Sequence, residues 1–375
     1  MMDNFQLEKQ NIEKQSMEQQ SMEKQNMEKQ NMEKQNLEKQ SRTGFLLFLF
    51  CTSFISLIVG MLCSVKWGQA YVPWGTLWEA LTYQGHDKAH LYIQTLRLPR
   101  TLTAGMVGIQ LALAGLLTQL TTKNPLASPH VFGINAGAAL AVVSGLVIIK
   151  NVSLMNSVWL AFIGAALGAL LVGTLAGSGP KQYIRLALAG ITIHFLLSSL
   201  TEGLIILNQH TTESMIFWLV GSVSQTSWEE VRLLLPFFIG GLFVFGFMLP
   251  SFRLLMMDDE IAAGLGQRVV IVRAISMLLV IVIAGSAVAL CGPIGFICLI
   301  VPHIARAWVG SANLAVLAPL TGLLGGNLLV YADFLGRFIA FPYDSPVGIV
   351  TAAIGAPFFI YLARKQGTRG GIGKR

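Results

Sequence analysis

The sequence predicts an all-α membrane protein with ten transmembrane helices. Three observations lead there. Hydrophobic residues make up 54% of the 375-residue chain and charged ones 12%, with a mean hydropathy of +0.62, against roughly 25% charged in a soluble domain. Residues 1–40 hold fourteen of the 45 charged residues, so the remainder is poorer in charge still. That remainder is divided into apolar runs, most of them near the ~20 residues that cross a bilayer as helix.

Residues 1–44 are predicted to be a cytoplasmic tail without a packed fold. Residues 6–40 are seven copies of a five-residue unit, from QLEKQ to NLEKQ. At ~100° per residue, a five-residue step turns each apolar side chain by ~140°, so Met, Leu and Ile scatter around a helix and form no stripe. No heptad supports a coiled coil, and the long polar lead does not fit a secretory signal.

Residues 45–363 are predicted to form the ten-helix transmembrane domain. Apolar runs fall at about 45–65, 99–121, 131–149, 157–177, 186–208, 233–250, 270–290, 294–309, 314–335 and 346–363. The eighth is the weakest. Its strongly apolar part is short and Pro302, His303 and Arg306 interrupt it, so a full span, a half-span and a re-entrant piece all stand. Gly and Ala at 105, 108, 112 and 115, and at 133, 137, 138 and 139, suit close helix packing. Pro293, Pro302 and Pro357 bend or break helices. His303 and Arg306, one turn apart, read as an interface anchor, since a metal site needs more ligands than one histidine. Cys51, Cys63, Cys291 and Cys298 lie in or beside apolar runs without metal-ligand spacing and read as packing residues.

Residues 364–375 form a basic tail with Arg364, Lys365, Arg369, Lys374 and Arg375. The positive-inside rule places it in the cytoplasm. With both termini inside, the number of crossings is even, and ten is the count. Nineteen of the 26 Lys and Arg then face the cytoplasm and seven face outward. The net charge of +7 is dispersed between apolar runs and forms no basic face, which excludes nucleic acid as a partner.

This topology singles out two sets of residues. Beyond residue 38, the only cytoplasmic acids are Asp258, Asp259 and Glu260. They open a short predicted helix that Gly264 and Gly266 close, with carboxylates where the helix dipole favours them. A docking point for a soluble motor and an ordinary polar connection are both open readings. Among the outward cations, Arg97, Arg100 and Arg337 sit at span ends. They suit docking of an acidic protein or attraction of an anionic ligand, or they snorkel to lipid headgroups. Asp333 and Arg337 have the i,i+4 order of a local ion pair. In the fifth run, His194, Ser198 and Glu202 form a polar stripe at helical spacing, which turns from lipid either toward a pathway or toward another helix.

Four segments carry a resemblance to a known family. They are RLPRTLTAGMVGIQLALAGLLTQLTTKNPLASPHVFGINAGAAL at 97–140; LALAGITIHFLLSSL at 186–200 with FWLVGSVSQTSW at 217–228; DEIAAGLGQRVVIVR ending at 273; and CGPIGFICLIVPHIARAWVG at 291–310 with YADFLGRF at 331–338 and SPVGIVTAAIGAPFFIYL at 345–362. In these the sequence is similar to the FecCD/BtuC-type permeases of ABC importers, which carry iron–siderophore complexes, haem and vitamin B12. The resemblance covers nearly everything after residue 44 and leaves out the repeat tail. It implies the BtuC-like (type II importer) fold. It also implies a second permease subunit, identical or not, around a central pathway, a pair of ATPase subunits beneath, and an extracellular solute-binding protein.

The resemblance implies roles as well. The loop of Asp258, Asp259, Glu260, Ala262, Gly264, Leu265 and Gly266 corresponds to the coupling helices that fit the ATPase surface. Asp258 and Asp259 make its leading edge more acidic than the family pattern. Arg97, Arg100 and Arg337 correspond to the outer-face arginines that pair with glutamates of the binding protein. His194, Ser198 and Glu202 lie on a pathway helix, and Ser178 and Gly179, beside Pro180, at the inner gate.

The end GTRGGIGKR imitates a phosphate loop, but Thr368 replaces the first Gly and Arg375 the Ser or Thr. ATP hydrolysis therefore falls to another polypeptide, and neither enzymatic activity nor a cofactor is expected of this one. The expectation is a multi-pass permease of the cell membrane that moves an iron–siderophore complex through the bilayer. The alternatives are a haem or cobalamin importer of the same family, and an ion-coupled secondary transporter. The last would need coupling residues near mid-bilayer, for which only His194 and, marginally, Glu202 are candidates.

Overall fold

A computed structural model of the chain describes residues 43–68, 72–85, 87–149, 152–177, 182–208, 216, 218–310, 313–339 and 341–371. The repeat tail, Ser178, Gly179, Pro180 and the last four residues of the basic tail lie outside the described residues. Among those described, every regular element is helical. In chain order they are α1 Thr43–Lys66, α2 Trp74–Leu81, α3 Lys88–Thr122, α4 Ile134–Ile148, α5 Leu154–Ala176, α6 Gln182–Leu207, α7 Trp228–Phe247, α8 Leu249–Leu254, α9 Asp259–Gly264, α10 Val269–Cys291, α11 Ile297–Val309, α12 Leu314–Ile339 and α13 Val347–Gly371.

Each of the ten apolar runs carries a helix. Seven, namely α1, α3, α5, α6, α7, α10 and α12, are long and apolar enough to cross a membrane. The apolar stretches Ile134–Ile148, Ile297–Val309 and Val347–Tyr361 are shorter, about 20–23 Å at 1.5 Å per residue. Among the described residues, seven of the ten therefore reach the length of a crossing and three fall short of it.

The core is built on α3. It runs 35 residues through one π-helical turn, Ile93–Arg97, and is buried along almost its whole apolar length. Its small residues explain the burial. A Cβ at Gly108 would lie 2.3 Å from the Gly325 carbonyl oxygen of α12, and one at Gly115 would lie 2.0 Å from that of Cys298 in α11. Only glycine lets those backbones approach so closely, which in lipid replaces a hydrophobic driving force. A second pair repeats the device: Gly137 of α4 faces Gly164 of α5, with clashes of 2.1 and 2.3 Å for a Cβ on either. The small residues read as packing positions in the sequence are therefore packing positions in the fold.

The weak eighth run is the 13-residue α11. It starts late because Gly292–Phe296 is not helical, with positive φ at Gly292 and Phe296. Backbone of that kind is tolerated at membrane depth only where protein buries it. The backbone N–H of Ser222 donates to Cys291 O (2.8 Å) and that of Gly348 to Gly221 O (3.0 Å). The interrupted segments around 221, 292 and 347 thus satisfy one another. Arg306 of α11 also turns inward, donating to Gln119 Oε1 of α3, where an interface anchor was expected. His303 stacks edge-on against Phe358 at 6.0 Å.

Candidate coupling loop and arginine cluster

The two residue sets picked out by charge lie at opposite ends of α3. At its C-terminal end, α8 and the turn after it lead to α9. Asp258 stands at the N-cap in extended backbone, and its side chain makes no capping bond. Asp259 and Glu260 occupy the first turn, the favoured end for negative charge. Gly266 closes the turn at φ +85°, a left-handed conformation that explains its glycine; Gly264 has ordinary helical backbone and open space around it. Of the residues of α9, only Ala262 is buried. Asp258, Glu260, Ile261 and Leu265 are exposed, together with Met257.

The acids of this loop are not equivalent. Asp259 Oδ1 receives Lys123 Nζ at 2.8 Å and Arg273 Nη2 at 2.9 Å. Lys123 also donates to Met257 O at 2.9 Å. Burial opposes ionisation of Asp259, but the Lys123 hydrogen bond and the charges of Arg273 and Lys123 outweigh it and hold the carboxyl below its ordinary range. The side chain of Asp258 is 88% exposed, 4.0 Å from Lys123.

At the other end of α3 the three expected docking arginines are buried and paired within the chain. Arg97 donates to Val65 O (2.9 Å) and Lys66 O (2.8 Å) and lies over the Tyr92 ring. Arg100 grips Asp333 through Nε and Nη2 at 2.8–3.1 Å and reaches Asp344 at 2.5 Å. Arg337 forms the expected i,i+4 pair with Asp333 at 2.6 Å and donates to Ser64 O and Oγ. Each arginine is at most 8% exposed. In this conformation their guanidinium groups have internal partners, which runs against both a direct docking contact and snorkelling to headgroups.

The stripe on α6 divides. His194 and Ser198 are half-buried and Glu202 is exposed, because each four-residue step turns the helix face by about 40°. The His194 ring meets His130 edge-on at 6.4 Å, and His130 lies 3.3 Å from Asn135 Nδ2. The exposed side of α6 carries Arg185, Thr192 and Ser199 as well as Glu202. Among the described residues, no group of three His, Cys, Asp or Glu side chains could hold a metal.

Sequence reasoning missed Lys123, Arg273, Asp344, Ser64 and His130. Lys123 and Arg273 were counted as topology charges, and only their shared approach to Asp259 reveals a role. Nothing local marks Asp344 or Ser64.

A bundle of apolar helices with interrupted backbone packed inside it, and a small acidic helix held at its edge, defines a polytopic membrane protein. The model of the FecCD transport family matches residues 56–365. The chain is 44% identical over 324 residues to the Fe(3+)-citrate import system permease protein YfmD of Bacillus subtilis (strain 168), covering 86% of this chain and 96% of that one. It is 39% identical over 280 residues to the Fe(3+) dicitrate transport system permease protein FecC of Escherichia coli (strain K12), covering 73% and 83%. The solved inward-facing structure of a metal-chelate type ABC transporter superposes with a TM-score of 0.75 at 28% identity, covering 85% of this chain and 99% of that chain. The chain belongs to the FecCD transport family. It is an ABC-transporter permease, a multi-pass membrane component and not an enzyme.

Proposed function

We propose that this permease imports an iron–siderophore complex, with both termini in the cytoplasm and with α4, α11 and α13 completing ten crossings. Its relatives named for Fe(3+)-citrate and for iron(3+)-hydroxamate support the substrate class. The observation that carries the mechanism is the outward face of the short helix α9. Exposed Met257, Ile261 and Leu265 beside exposed Asp258 and Glu260 form a mixed apolar and acidic face that a soluble partner can cover. That partner is one of a pair of ATPase subunits, and a second permease subunit, a copy or a paralogue, completes the pathway.

A solute-binding protein delivers the chelate on the opposite side. Arg97, Arg100 and Arg337 shape that face from within, by bracing α1, α3, α12 and the segment carrying Asp344. The exposed side of α6, with Thr192, Ser199 and Glu202, turns toward the pathway, and His194 and Ser198 support it. Ser178 and Gly179 keep their assignment to the inner gate. ATP binding and release bias two conformations through different contacts at α9, which is what moves the chelate.

The test is uptake in cells lacking this chain, before and after its return. The panel is ferric citrate, ferric hydroxamates, haem and cobalamin, with ATP depleted while the proton gradient is held, and the reverse. Restored ferric-chelate uptake that stops with ATP depletion is the expected result. Restoration of haem or cobalamin alone overturns the substrate class, and dependence on the proton gradient alone overturns the ATP-driven mechanism.

A further inference from the structure

One carboxylate oxygen in the α9 loop is shared by cations from two different membrane helices. Lys123 follows the last turn of α3 in left-handed backbone (φ 51°), its N–H still bonded to Gln119 O and Leu120 O. This turn aims its ammonium at the loop, 2.8 Å from Asp259 Oδ1. Arg273, four residues into α10, reaches the same oxygen at 2.9 Å. One turn back from Lys123, Gln119 binds Cys298 O and accepts from Arg306, both of α11. At the far end of α3, about 35 Å away at 1.5 Å per residue, Arg100 is locked to Asp333 and Asp344.

The apolar attachment of α9 is slight, since Ala262 is its one buried residue. Its other holds are polar: Gln267 Nε2 to Ser251 O at 2.7 Å, Lys123 to Met257 O, and the Asp259 pairs. Displacement of α9 therefore reaches the bundle through few connections. Those of Asp259 lead into α3, the most deeply packed helix, and into α10. Asp258, Glu260, Ile261 and Leu265 are exposed for a partner; the Asp259 side chain is also 48% exposed, and what sets it apart is that Lys123 and Arg273 both hold its Oδ1.

We propose that Asp259 is a positioning residue of the coupling loop, which clamps α9 to α3 through Lys123 and to α10 through Arg273 and passes displacement of α9 into both helices, without itself contacting the ATPase. This rests on the reading of α9 as the ATPase-docking element. It assigns the acids of the leading edge different tasks: Asp259 faces the membrane helices, whereas Asp258 and Glu260 face the partner.

The test uses the full complex of permease and ATPase subunits in vesicles, with ferric citrate as the probe. The variants are Asp259→Asn, Lys123→Gln, their combination, and Glu260→Arg with Leu265→Glu. The readouts are ATPase co-purification, ATP hydrolysis, and uptake per ATP. Asp259→Asn and Lys123→Gln should each keep the ATPase bound and lower uptake per ATP about fivefold, the low end of ordinary coupling energies. The combination should lose less than the product of the two single losses, since the Lys123–Asp259 bond is common to both while Arg273 and Met257 O are partners of one each. Losses that multiply, unchanged uptake per ATP, or loss of co-purification by Asp259→Asn alone would each overturn the proposal. If Glu260→Arg with Leu265→Glu leaves the ATPase bound, the docking reading itself fails and this proposal falls with it.

Discussion

Asp333→Asn is the substitution that most directly tests the buried arginine cluster. Asp333 is 2% exposed and accepts from Arg100 Nε at 2.9 and 3.1 Å, Arg100 Nη2 at 2.8 Å and Arg337 Nη2 at 2.6 Å. Removing its charge leaves two buried guanidinium groups short of a counterion. Breaking a buried pair by removing one partner costs about 3–5 kcal/mol, because the surviving charge stays buried. Arg100 keeps Asp344, Arg337 keeps Ser64, and asparagine keeps one acceptor, so about 3 kcal/mol, the low end of that range, is expected. Asp333→Leu should cost more, and the combination Arg100→Met, Asp333→Leu, Arg337→Met, Asp344→Asn should recover most of the loss, since replacing a buried ion cluster by apolar residues is nearly neutral. The assay is unfolding of the purified permease by SDS in mixed micelles, followed by Trp fluorescence, beside binding-protein affinity in vesicles. A stability within ~0.5 kcal/mol of wild type, the range of ordinary surface substitutions, with binding-protein affinity lost, would refute the burial argument and return the arginines to direct docking.

Three further outcomes are expected. Gly115→Leu should abolish assembly, since even a Cβ there sits 2.0 Å from the Cys298 carbonyl; Gly264→Ala, whose Cβ meets nothing within 4 Å, should be tolerated, and yields of folded protein in membranes decide both. The depressed pKa of Asp259 means that its hold on α9 is fully present above the ordinary carboxylate range and is lost as pH falls through its lower folded-state value. Hydrogen exchange of residues 257–266, corrected for intrinsic rates, should therefore be flat from about pH 8 to pH 5 and rise in stronger acid, while Asp259→Asn should exchange faster throughout. Deletion of residues 2–38 should leave uptake largely intact, because the repeats form no apolar stripe with which to pack; a dead truncation measured by ferric-citrate uptake would contradict that.

The legibility of the fold varied with the range of the interaction concerned. Helical periodicity and apolar length are local, and every run they marked carries a helix. The short α11 could be suspected from Pro302, His303 and Arg306, but its late start depends on Gly292–Ile294 fitting against Trp218 and Gly221, and no local pattern encodes that fit. Small residues at 108, 115 and 137 marked packing faces without saying which helix fills them. The stripe at 194, 198 and 202 was read as one face, yet its four-residue steps carry Glu202 away from the half-buried side of His194.

Charge, hydropathy and the family motifs were enough to mark the apolar helices, locate the acidic helix beyond residue 257 and foresee the Asp333–Arg337 pair, since each is written within a few turns of chain. The direction in which a buried cation points was decided by tertiary structure alone. Arg100 finds its carboxylate 233 positions away in Asp333, and Lys123 finds Asp259 across 136. A charge at a span end has the same sequence signature whether it faces water or a buried partner. In a low-dielectric interior the partner within ~3 Å prevails over exposure, and only the packing of distant helices supplies that partner.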